Sequence, residues 1–136
     1  TQLKTAARRS LPASFCLRFD RQEANWWLHT FARGSHWDVD AFRFGDQSLF
    51  VSRADFRATG GYDEGLALLE GHEMVRRLRR HCGGFQLLPA DVTTSARRYL
   101  QYGVVYTQSV FVLIFCLYYL WVPQRLLLRL YATAFR

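Results

Sequence analysis

The stretch Leu66-Ala67-Leu68-Leu69-Glu70-Gly71-His72-Glu73-Met74-Val75-Arg76-Arg77-Leu78-Arg79-Arg80-His81-Cys82-Gly83-Gly84 decides the fold. Leu69, Met74, Val75 and Leu78 recur at helical spacing and oppose Arg76, Arg77, Arg79 and Arg80, so residues 66–81 read as an amphipathic helix. Gly83-Gly84 ends it. On either side the period shortens. Residues 48–52, 85–88 and 92–96 read as strands, and so do residues 15–19, where Phe15, Leu17 and Phe19 share one face. Residues 20–33 carry Trp26, Trp27, Leu28 and Phe31 at near-helical spacing and stop at Gly34. Residues 53–59 form a short helix stopped by Gly60-Gly61, and residues 36–44 a polar and aromatic loop. Helices and strands are therefore both expected in this stretch of chain.

Further along, the character changes. Residues 104–122 are 19 positions without a charge, and a helix of that length rises about 28 Å, close to the hydrocarbon thickness of a bilayer. Tyr102, Tyr106, Tyr118, Tyr119 and Trp121 lie towards its ends, where amphipathic rings favour the headgroup region. Pro123 stops it. Residues 124–136 then read as an amphipathic helix, with Arg125, Arg129 and Arg136 against Leu126, Leu127, Leu130 and Phe135. The expectation is a transmembrane helix followed by an interfacial one; the alternative is a helix buried in a water-soluble core. Arginines flank the span on both sides (Arg97 and Arg98, Arg125 and Arg129), so its orientation is open. The expected organisation is a basic arm (1–14), a mixed subdomain (15–100), the hydrophobic helix (101–122) and the amphipathic helix (123–136).

The totals fit that division. The 136 residues are 50% hydrophobic and 16% aromatic, enough to bury a core in one domain. The formal charge is +7, carried almost wholly by arginine, with Lys4 the sole lysine. No zinc finger, RNA-recognition signature or long basic run accompanies that charge, so no nucleic-acid partner is expected. Three cysteines, Cys16, Cys82 and Cys116, have neither metal-ligand nor CxxC spacing, so the sequence argues neither a disulfide framework nor a zinc site. His29 and His81 have no partnering motif and read as structural. The sequence starts at Thr1 and not Met, which predicts a processed product, a fragment or an unrecorded beginning.

Five short motifs follow one another in a recognisable order. They are Gly45-Asp46-Gln47-Ser48-Leu49-Phe50-Val51, Gly60-Gly61-Tyr62, Glu70 ahead of Val75-Arg76-Arg77-Leu78-Arg79-Arg80, Leu87-Leu88-Pro89, and Val92-Thr93-Thr94-Ser95-Ala96-Arg97-Arg98. Over residues 13–131, with Phe15 to Asp20 ahead of them, they resemble the C-terminal half of family 2 glycosyltransferases of a bacterial type. The resemblance implies an α/β fold, α+β in this stretch of chain: part of a Rossmann-like fold whose missing N-terminal half would bind a nucleotide-sugar and a divalent cation. The half present would bind the acceptor and supply a carboxylate base. That base is implied to be the second residue of an acidic pair at the start of the arginine-rich helix. Here the pair is Glu70-Gly71, and glycine takes no proton. Glu70 and Glu73 are the substitutes at hand, although neighbouring helical side chains diverge by about 100°. Asp46 and Gln47 are implied acceptor-pocket residues, or else turn-capping ones.

His36, Asp38 and Asp40 offer three ligands in five residues, a candidate metal site against the plainer reading of a solvated loop. Arg97, Arg98, Arg125 and Arg129 are candidates for phosphate or lipid headgroups, and Arg76, Arg77, Arg79 and Arg80 for docking an acidic partner. The expected function is a non-catalytic, membrane-associated accessory subunit of a larger respiratory, photosynthetic or transport complex, derived from a family 2 glycosyltransferase. Its partners would be other subunits and membrane lipid, at a bacterial inner membrane or an organelle membrane. No resident cofactor is expected, and a divalent cation only for an active transferase. The alternatives are the acceptor half of an active or split glycosyltransferase, and a peripheral lipid-binding module.

Overall fold

The computed structural model describes residues 11–20, 26–34, 36–37 and 47–136. Among them lie three strands and six helices: β1 (Ala13–Phe19), α1 (Trp26–Gly34), β2 (Leu49–Phe50), α2 (Arg53–Ala58), α3 (Glu70–Cys82), β3 (Gln86–Thr94), α4 (Arg97–Tyr102), α5 (Val104–Tyr119) and α6 (Gln124–Ala134). The fold is mixed α and β, with one three-stranded sheet in the order β2-β1-β3.

β1 is the central strand, antiparallel to β2 and parallel to β3. A central strand is covered on both faces, and accordingly only Phe15 and Arg18 of its seven residues are not buried. Leu17 and Phe19 pack with Leu28 and Ala32 of α1 and with Ala96 and Tyr99, and Phe31 and Phe111 close the edge of this core. A smaller cluster joins Ala13 and Leu88 to Phe15 and Phe50, whose rings meet edge to face at 5.3 Å.

The two strands expected over 85–88 and 92–96 are one. Pairing runs from Phe15↔Leu88 directly to Cys16↔Asp91, so Pro89 and Ala90 bulge out of register and the ladder resumes. A bulge accommodates a proline that has no N–H to offer. The sheet ends where Asp20 donates its N–H to Thr94 O and accepts the Ala96 N–H on Oδ1, both at 2.9 Å. That contact turns the chain into α4, so Arg97 and Arg98 open a helix and do not end a strand.

The arginine-rich helix starts at Glu70, four residues later than expected. The Ala67 and Leu68 N–H groups donate instead to the Gln124 side chain at 3.3 and 3.1 Å, and Leu69 sits at φ 63°. Glu70 and Glu73 in the first turn, and Arg79, Arg80 and His81 in the last, suit the helix dipole.

The long apolar helix is shorter than the 19 residues expected. α5 has 16 residues, about 24 Å of rise, and no helix among the described residues is long and apolar enough to cross a membrane. Its end is a Schellman motif. Trp121 N–H donates to Tyr118 O and Val122 N–H to Leu117 O, with Trp121 in the left-handed region at φ 62°. Pro123 then starts α6, which folds back along α5; Tyr102 and Tyr106 hydroxyls donate to Arg136 O and Ala134 O near its far end.

Candidate functional site

The residues at the expected base position lie in the first turn of α3, where His72 faces the last turn of α5. Gly71 and His72 are buried, Glu70 is exposed, and Glu73 is partly covered. His72 shares a 2.7 Å hydrogen bond between Nε2 and the Tyr119 hydroxyl, and its ring meets Phe115 edge-on at 5.1 Å. The imidazole therefore joins α3 to α5.

Glu73 is ion-paired with Arg77 of its own helix. Both of its oxygens accept from Arg77, Oε1 from Nε and Oε2 from Nη2, each at 2.7 Å. The same guanidinium donates to the carbonyls of Thr59 and Gly61. Arg77 thus satisfies carbonyls just beyond α2, where Gly60 at φ 83° and Gly61 at φ 71° close that helix. Arg77 is a strap between α3 and the residues just beyond α2.

The arginine face divides further. Arg76 lies over the Tyr119 ring at 5.2 Å and Arg79 over Phe85 at 5.4 Å, both within cation–π range. Arg80 is the member of the set that is exposed. Arg76 and Arg80 line an open cleft with Asp63, Tyr118 and Trp121, between α3 and the turn from α5 to α6. Burial pushes the Tyr118 phenol up, and the nearby Glu73 carboxylate adds to the shift. Such a cleft offers cations, ring faces and the exposed Asp63 carboxylate, while its other carboxylate, Glu73, is held by Arg77.

Arg98 stacks over Tyr131 and Phe135 at 5.2 and 5.0 Å, which pins α4 to α6. Arg97, Arg125 and Arg129 are exposed. Gln47 is buried, which does not suit an acceptor contact, and Asp46 lies outside the described residues. Of the loop ligands, His36 stands 3.6 Å from Asp91 of β3, whereas Asp38 and Asp40 lie outside the described residues.

The structure adds a feature that the helical wheel only hinted at. α5 is apolar all round, yet only Thr107, Val110 and Ile114 are buried. Val105, Val112, Leu113 and Cys116 are exposed, at helical spacing along its outer side. The stripe continues into Leu120 and Trp121, which are 72% and 93% exposed. Tyr119 and Gln124 fix the hairpin to α3 and its preceding loop; the sequence marks Tyr119 only as a ring near the end of the apolar run and gives no sign of either contact.

No family model, curated protein or solved structure matches the chain.

Proposed function

We propose that this chain is a non-catalytic accessory subunit that attaches to a membrane-bound assembly through the outer side of α5 and the turn that follows it, and that it derives from a family 2 glycosyltransferase. The observation that carries the reading is the unburied apolar stripe from Val112 to Trp121. A helix apolar on every side is ordinarily covered on every side. Contiguous exposed apolar surface marks a protein or membrane contact.

Two further observations support it. Trp121 adopts a left-handed backbone at φ 62°, which costs an L-residue about 1–2 kcal/mol, and its ring is almost wholly exposed. A bulky residue kept there at that cost suits an interfacial anchor. The exposed Arg125 and Arg129 of α6 lie on the neighbouring helix, where anionic headgroups would meet them. Against catalysis stand the glycine at position 71, the clamped Glu73 and the tied His72. Attachment along the membrane surface replaces the expected spanning helix in this reading, since α5 is short.

Gentle detergent extraction of the native chain, followed by native electrophoresis and mass spectrometry, tests the proposal. Co-migration with a large membrane complex is expected. Transfer or hydrolysis of a nucleotide-sugar by the purified chain with Mg²⁺ or Mn²⁺ would overturn its non-catalytic part.

A further inference from the structure

Away from the α5 hairpin, three donor side chains of different kinds converge at the opposite end of α3. Asp55 comes from the first turn of α2, and His81 and Cys82 from the last turn of α3. A carboxylate oxygen, a ring nitrogen and the Cys82 sulfur all lie within 4.8 Å of one another. The geometry points to a binding site for a single borderline-soft divalent cation, of the zinc class, held by Asp55, His81 and Cys82 with its fourth position open to solvent.

The His81–Asp55 separation is that of an ion pair, and it equally fits two ligands that share one ion. His81 Nε2 stands 3.5 Å from Asp55 Oδ1. That is long for a hydrogen bond, which clusters near 2.7–3.2 Å. It is close to the edge of a tetrahedron built on bonds of about 2.0–2.1 Å, which is roughly 3.4 Å. One sulfur, one imidazole nitrogen and one carboxylate oxygen form a mixed set that suits zinc better than a hard cation such as magnesium.

The surroundings supply the support that metal ligands ordinarily have. The Ser52 hydroxyl donates to Asp55 Oδ2, and the Asp55 N–H donates back to Ser52 Oγ at 3.0 Å. The carboxylate is therefore fixed through one oxygen while the other faces His81. His81 and Cys82 sit at the carboxyl end of α3, where the helix dipole favours positive charge. The His81 side chain is 43% exposed, which leaves a path for entry.

The test uses the reduced, detergent-solubilised full chain with Co²⁺ as a spectroscopic probe and Zn²⁺ in competition. One equivalent of Co²⁺ is expected to bind with tetrahedral ligand-field bands and an intense thiolate-to-metal band. Cys82→Ser should abolish the thiolate band. Asp55→Asn and His81→Gln should each weaken Zn²⁺ binding at least tenfold, with circular dichroism confirming that each variant folds. Ser52→Ala removes no ligand, keeps the thiolate band and should weaken binding by about tenfold. Cys16→Ser controls for the other described cluster, Cys16, His36 and Asp91, and should change nothing. Absence of stoichiometric binding, an octahedral spectrum without a thiolate band, or loss of that band in Cys16→Ser and not in Cys82→Ser would each overturn the site.

Discussion

α3 and α5 are helices of similar length, 13 and 16 residues, and they meet the rest of the chain in opposite ways. In α3 the large apolar residues Met74, Val75 and Leu78 are all buried, and the arginines between them are exposed or spent on neighbouring rings and carbonyls. In α5 apolar residues occupy every side, and the chain covers only one of them. The lesson is that an amphipathic helix states in its own sequence what covers it, whereas a uniformly apolar one states only that something must. For α5 the proposed contact is what would supply the rest of that covering.

The two helix ends make the same contrast. α2 closes with Gly60 N–H on Arg57 O and Gly61 N–H on Phe56 O, and α5 closes with the matching pair from Trp121 and Val122. The left-handed position is glycine in one and tryptophan in the other, at φ 83° and φ 62°. Glycine there serves the fold. Tryptophan there costs the fold and presents a ring to the surroundings.

The comparison breaks first at the core. Leu78→Ala should cost about 2–5 kcal/mol in denaturant unfolding, whereas Leu113→Ala on the outer side of α5 should stay within about 0.5 kcal/mol in the isolated chain. Equal costs would mean that α5 is covered from within. Next in size, Arg77→Ala removes the strap between α2 and α3 and should cost about 1.5–3 kcal/mol, measured the same way. Gln124→Ala leaves the Ala67 and Leu68 N–H groups to solvent and should cost about 1 kcal/mol. Smallest in stability but most telling is Trp121→Gly. It relieves the left-handed strain and should leave stability unchanged or raise it by up to about 1 kcal/mol, while recovery of the chain with membranes falls. A variant that is stable and still fully recovered would remove Trp121 from the contact.

Much of the architecture was legible because local signals sufficed. The alternation of Phe15, Leu17 and Phe19, the arginine and apolar faces of α3, and the glycines at 60, 61 and 83 each specify their element without help from afar. The failures have long-range causes. β3 is continuous because its partner β1 tolerates a bulge at Pro89, and the turn into α4 depends on Asp20, which is 76 positions away from Ala96 in the chain. The start of α3 is set by Gln124, more than fifty residues downstream. At the candidate site, the sequence identified Gly71, Glu70 and Glu73 but not that Arg77 would occupy both Glu73 oxygens, nor that His72 would find Tyr119. Asp55, His81 and Cys82 have no motif spacing, and only the turn at Gly60-Gly61 brings α2 back to the end of α3.

The outer stripe of α5 is tested most directly by native mass after mild extraction, comparing the unaltered chain with the double variant Val112→Asp, Leu113→Asp. The unaltered chain is expected in a particle many times heavier than its own 15.9 kDa, and the double variant, folded by circular dichroism, as the free chain. An unaltered chain that migrates as a free monomer, or a double variant that stays in the large particle, would contradict a contact through α5.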